Sequence, residues 1–140
     1  MRLWHKDLIP YLPRQQLLGQ WRECCCIAKN LFINGTPNHI LVNKILDYPC
    51  SHLNTYVLEV YREMIRRGFY CDWDKYSDHC INKAIVNLNE IFPDWHNDRY
   101  FWQCYYNLQE KYDCGGINEE EWGKIIDGVT YLHRRRACNI

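Results

Sequence analysis

The sequence predicts an all-α fold, a single compact helical domain of about five or six helices over residues 1–140. Apolar residues recur three and four apart in several long stretches, the spacing that puts them on one face of a helix. No stretch shows the two-residue alternation of a half-buried strand, and the joints between stretches are short and marked by Asn, Gly, Pro or Ser. A chain of this length buries about 68% of its unfolded surface, enough for one core without metal or disulfide.

After a short lead-in, Met1-Arg2-Leu3-Trp4-His5, Pro13 suits the first turn of a helix, where its missing N–H would have no partner anyway. Leu17, Trp21, Cys24, Cys25, Ala28 and Leu31 then form a helical stripe; Arg14, Gln15 and Arg22 lie off it, and Glu23 neighbours its edge. Asn34-Gly35-Thr36-Pro37 is a turn signal, and Asn38 to Leu46 are expected to form a short helix ended before Pro49. Ser51 is the expected cap of a second long helix, with Leu53, Tyr56, Val57, Val60, Tyr61, Met64 and Ile65 buried and Gly68 as its stop. A further helix is expected from Ser77 or Asp78 to Ile91, followed by a loop at Phe92-Pro93-Asp94-Trp95-His96.

Asn97 or Asp98 caps the next helix, through Tyr112, and Gly115-Gly116 stops it. Its aromatic run Tyr100, Phe101, Trp102, Tyr105 and Tyr106 has the composition of a base-stacking platform, but at this spacing most of it faces the core. Asn118 and Glu119-Glu120-Glu121 suit the start of a last helix, whose buried stripe is Trp122, Ile125, Ile126, Val129 and Leu132. Arg134-Arg135-Arg136 has the charge to touch nucleic-acid phosphates, but it also complements the negative end of that helix without any ligand, which is the favoured reading.

No apolar run approaches the ~18 residues of a membrane helix, and no secretory signal opens the chain, so a cytoplasmic protein is expected. Nine cysteines, an odd number with three consecutive at Cys24-Cys25-Cys26, read as reduced thiols. No Cys-x-x-Cys pair exists and Cys71, His79 and Cys80 form only a loose cluster, so no metal is expected. Net charge is zero, yet Met1 to Tyr70 carry nine Lys/Arg against five Asp/Glu, a net of +4, and the rest of the chain carries −4. A basic half opposed by an acidic one suits a phosphate-binding face backed by a solvated one.

Chemistry concentrates at the start of the chain. A free α-amine has a pKa of about 7.7–8.0, so near neutral pH about a quarter of it is unprotonated, against about a thousandth of an ordinary lysine. Amine attack on a sugar carbon gives a Schiff base and splits one hard bond cleavage into two easier steps, with a nearby carboxylate moving the protons. Met1 and Glu23 are the candidates for these roles. Lys6 is the rival amine, competitive only if burial or neighbouring cations lower its pKa by about two to three units.

Two segments carry a resemblance to a known family. Leu12-Pro13-Arg14-Gln15-Gln16-Leu17-Leu18-Gly19-Gln20-Trp21-Arg22-Glu23, together with the run from Asn34-Gly35 through His52 to Arg66-Arg67-Gly68-Phe69, resembles the pyrimidine dimer DNA glycosylases over about the first half of the chain. The resemblance implies a base-excision repair enzyme: a DNA glycosylase with abasic-site lyase activity, a monomer acting without cofactor on damaged double-stranded DNA through an N-terminal amine Schiff base. It puts Arg22 and Glu23 at the family's catalytic dipeptide, and Arg2, Arg14, Gln16, His39, Lys44 and His52 among the DNA-binding residues. The family's nucleophile is a threonine amine exposed by loss of the initiator methionine; here Arg2 is too large to permit that loss, so Met1 is expected to carry the amine. A helix histidine of the family is Gln16, a phosphate-contacting arginine is Cys26, and the lesion-contacting aromatic run has no counterpart. These departures motivate a second reading from another class, a non-catalytic helical module that binds nucleic acid or protein.

Overall fold

Capped, striped segments fold as helices: α1 spans Arg14–Asn34, α2 Cys50–Arg66, α3 Asp74–Ser77, α4 Asp98–Asp113 and α5 Glu119–Cys138. Shorter 3-10 turns occupy Lys6–Tyr11, Asn43–Asp47 and Leu88–Glu90. The computed structural model describes the backbone of residues 1–138 and the side chains of residues 1–135, and no strand occurs among the described residues. The fold is all-α, as the periodicity predicts, with 66% of the chain helical.

α2 lies at the centre, packed on α1, on the Lys6–Tyr11 and Asn43–Asp47 turns and on Leu88–Glu90; α5 closes on Lys6–Tyr11 and on α4. Buried residues from Leu3 to Val129 form one core cluster. Gly128 permits the closure of α5, since a Cβ there would run into the Tyr11 ring. The end of α2 is tied to the same turn through buried Glu63, which accepts from Arg66 and Arg67, while Arg67 donates onward to the carbonyls of Leu12 at 2.7 Å and Pro10 at 3.0 Å. Gly68 ends α2 with φ +79°, a left-handed conformation that an L side chain strains to adopt.

Several local expectations are corrected. The helix expected from Ser77 or Asp78 to Ile91 does not form; α3 stops at Ser77, and of the remainder only Leu88–Glu90 is helical. Ile81 and Ile85 are 73% and 64% exposed, so this segment has no stripe to bury, and α2 takes up its backbone instead. Asn54 Nδ2 donates to the carbonyls of Asn82 and Ala84 at 2.9 Å, Val86 N–H donates to Thr55 Oγ1 at 2.9 Å, and Phe92 N–H donates to His52 Nδ1 at 3.1 Å. Asn38 has φ +55°, which keeps it out of a helix and confines the expected Asn38–Leu46 helix to the turn at Asn43–Asp47.

Ser51 does not cap α2: the helix starts at Cys50 behind Pro49, and the Ser51 carbonyl accepts from Thr55 Oγ1 at 2.8 Å inside the first turn. Ile65 and Ile126 lie outside the core, whereas Ile27 joins it. The other caps form as expected, with Asn97 Oδ1 accepting from Tyr100 N–H and Asn118 Oδ1 from Glu121 N–H. Of the aromatic run on α4, Phe101 is buried, Tyr100, Trp102 and Tyr105 are half-buried and Tyr106 is exposed. Arg134 and Arg135 are exposed near the end of α5, and the Arg136 side chain lies outside the described residues.

Candidate active site at the amino-terminal segment

The lead-in from Met1 to His5 has no helix of its own, so its backbone polar groups need partners from elsewhere. Gln20, polar yet buried within the α1 stripe, supplies two of them: its Oε1 accepts from Trp4 N–H at 2.8 Å and its Nε2 donates to the Arg2 carbonyl at 2.9 Å. The carboxamide thus pairs with the lead-in as a neighbouring strand would. From α2, the fully buried Tyr56 donates its hydroxyl to the Trp4 carbonyl at 2.6 Å; from α4, Tyr100 donates to the Leu3 carbonyl at 2.5 Å. Helices distant in sequence therefore fix a segment that carries almost no conformational preference itself.

This fixing brings the lead-in to Glu23. Arg2 N–H donates to Glu23 Oε2 at 3.1 Å, and Gln20 Nε2 lies 3.4 Å from the same oxygen. The Met1 nitrogen is three covalent bonds from that amide nitrogen, which holds it within about 7 Å of the carboxylate. Glu23 is half-buried and Met1 is 37% exposed, so both reach solvent. Gln20→Ala removes the partner of buried backbone groups at about 1–3 kcal/mol each. Chemical denaturation should show a loss of about 2–4 kcal/mol, and any activity at Glu23 should fall further than the folded fraction accounts for.

Beyond Trp4 the segment is latched by two stacked histidines. Asp7 N–H donates to His5 Nδ1 at 3.1 Å, which assigns the proton to Nε2, and this donates to the His96 carbonyl at 3.0 Å. Lys6 N–H donates to His96 Nδ1 at 3.0 Å, so His96 too is neutral in this arrangement. Burial, with His5 and Lys6 alongside, holds the His96 pKa well below the usual imidazole value. An unfolded histidine takes up a proton near pH 6.5 that folded His96 refuses, so this contribution to stability is present above about pH 6.5 and is lost as pH falls below it. Melting curves should show stability falling by up to about 1.4 kcal/mol per pH unit more steeply in the native protein than in His96→Gln.

Against this segment lies a pocket of about 320 Å³, lined by cations from three parts of the chain, Arg2, Lys44 and Arg99, with Trp95 and Tyr100 as aromatic walls and Asp94 as its acid. The Arg2 guanidinium is steadied over the Trp4 ring at 5.4 Å. Of the residues expected in the site, Met1, Arg2, Glu23 and Lys44 belong to this region. His39 sits in the adjoining turn, its Nδ1 accepting from Leu41 N–H at 3.3 Å. Gln16 lies one turn before Gln20 on α1 and is half-buried.

The others lie elsewhere. Arg22 is exposed and borders a separate depression with Leu18, Tyr70 and Lys75, its Nε donating to the Leu18 carbonyl at 3.4 Å. Arg14, nine residues or about 13 Å along the helix from Glu23, stacks over Phe69 at 5.5 Å. His52 receives Phe92 N–H between the Tyr48 and Phe92 rings, where burial lowers its pKa. Lys6 donates its Nζ to the carbonyls of Ile91 at 2.8 Å and Asn89 at 3.3 Å, and burial lowers its pKa. Gln20, Tyr56, Tyr100 and Arg99 also belong to this region; of these only Gln20 carries a sequence signal, a polar residue inside an apolar stripe. Among the described residues no group of three or more His, Cys, Asp or Glu is placed to hold a metal ion, and no helix is long and apolar enough to cross a membrane.

The amino-terminal segment is thus seated on a helix carboxylate, beside a pocket lined by Arg2, Lys44 and Arg99, in an all-helical protein. The family model described as pyrimidine dimer DNA glycosylase matches residues 1–77, which contain Met1, Arg2, Glu23 and Lys44. The chain belongs to that family and is, at family level, a DNA repair glycosylase with DNA as its substrate. No curated protein and no solved structure matches it significantly.

Proposed function

We propose that the protein removes a damaged base, a pyrimidine dimer or a related lesion, and cuts the resulting abasic site through a Schiff base on the Met1 α-amine. The observation that carries this is the hydrogen bond from Arg2 N–H to Glu23, which holds residue 1 beside a carboxylate. The amine nitrogen forms a bond to the sugar C1′ as the glycosidic bond breaks and the base departs with its electron pair. The C1′–O4′ bond then breaks, opening the ring; O4′ takes a proton to become the 4′-hydroxyl, and the nitrogen lone pair completes the imine to C1′. Glu23 carries the protons of these steps, and removal of a C2′ proton then expels the 3′ phosphate by β-elimination. Arg2, Lys44 and Arg22 meet phosphates flanking the lesion, whereas Arg14, His39 and His52 hold the scaffold. The core shared by both halves supports reading the chain as one domain.

Borohydride reduction tests the proposal, because it converts an imine between protein and abasic-site DNA into a permanent adduct. A band of protein-plus-oligonucleotide mass that depends on borohydride is the expected result. Binding of damaged duplex with neither adduct nor base release would instead support the non-catalytic module.

A further inference from the structure

Beside the cationic pocket the chain exposes two large apolar side chains. Ile40 is 84% exposed and Leu41 49% exposed, and both line the pocket rim together with Arg2, Lys44 and Arg99. Burying such a side chain is worth about 1.5–3 kcal/mol, yet neither meets the core. The turn that carries them is built rather than loose. Val42 and Asn43 N–H donate to the His39 carbonyl at 3.0 and 2.9 Å, His39 N–H donates to Asn43 Oδ1 at 3.0 Å, and Leu41 N–H donates to His39 Nδ1. Val42 and Ile45, buried behind the tip, anchor it in the core.

We propose that Ile40 and Leu41 form a wedge that enters the base stack of damaged duplex DNA next to the lesion, while Arg2, Lys44 and Arg99 engage the phosphates around it. This rests on the function proposed above and adds how the lesion is reached. Apolar side chains inserted at a base step unstack it and kink the duplex, at a cost of a few kcal/mol per step. That cost is least where a lesion already weakens stacking, so a wedge converts poor stacking into selectivity. A rigid tip enters without first being ordered, which removes part of the entropic cost of binding. The ring of cations fits a polyanion: duplex DNA presents one negative charge per roughly 1.7 Å of axis, both strands counted, flanking its apolar stack. Arg99 lies outside the family-matched residues, so the second half of the chain supplies part of this grip.

The test compares the native protein with Ile40→Ala/Leu41→Ala on two substrates. One is duplex DNA with a single abasic site flanked by 2-aminopurine, whose fluorescence rises on unstacking; the other is a single-stranded abasic oligonucleotide, which has no duplex to open. The native protein should raise the fluorescence, and the double variant should lose most of that rise. Its duplex trapping rate should fall tenfold or more, while single-strand trapping falls less than twofold. Both side chains are exposed, so the melting temperature should hold, and the single variant Ile40→Ala should show an intermediate loss. Unchanged fluorescence and duplex trapping in the double variant overturn the wedge and leave the Schiff-base proposal standing. If the native protein traps neither substrate, the Schiff-base proposal fails, and a fluorescence rise abolished by the double variant still supports the wedge.

Discussion

Glu23→Gln should lower strand cleavage at an abasic site by about 10²–10⁴-fold, the range for losing a positioned acid–base group. DNA affinity and melting temperature should change little. The amide has the shape of the carboxylate, and its oxygen can still accept from Arg2 N–H, the 3.1 Å bond that seats the amino-terminal segment. What it cannot do is take up and release a proton. Glu23→Ala confounds the two effects, because it also removes the acceptor that positions residue 1. Single-turnover cleavage rates, with a denaturation curve for each protein, separate chemistry from folding. Full cleavage by Glu23→Gln removes this residue from the mechanism.

An uncleaved amino-terminal extension should abolish borohydride trapping while leaving much of the DNA binding intact. Extension turns the Met1 amine into an amide, whose lone pair is delocalised and no longer nucleophilic. Met1 is 37% exposed, and its neighbours Arg2, Leu3 and Trp4 are held through their own backbone groups, so an added segment can leave into solvent without unseating them. Lys6→Ala should still trap. Burial lowers the Lys6 pKa, as a rival nucleophile would need, but its Nζ is committed to the carbonyls of Asn89 and Ile91. Peptide mapping of the adduct decides directly, and attachment at Lys6 overturns the role of Met1.

The candidate site was partly legible in the sequence. Arg22-Glu23 and a short lead-in were visible as a pairing of amine and carboxylate, and the matched first half carried the family. Arg22 and Glu23 are adjacent on α1, and adjacent helical residues diverge by about 100°. Arg22 accordingly borders a different depression from the one beside Arg2. Arg99 carries no sequence signal because it joins Arg2 and Lys44 around one pocket only where three separate segments converge. Tyr56 read as a core residue, which it is; that its hydroxyl also grips Trp4 follows from burial beside an unpaired carbonyl.

By itself the sequence determined the fold class and the four long helices, because stripes at helical spacing, Asn97 and Asn118 as caps, and Gly68 and Gly115 as stops are all local signals. Tertiary structure alone decided the segments without such signals. Residues 78–91 lose their expected helix because Asn54 and Thr55 on α2 offer their backbone better partners than a helix with no face to bury, and His52 takes the N–H of Phe92 just beyond. The lead-in takes its place at Glu23 for the same reason: its backbone groups must be paired, and only the packed helices bring Gln20, Tyr56 and Tyr100 within reach of them.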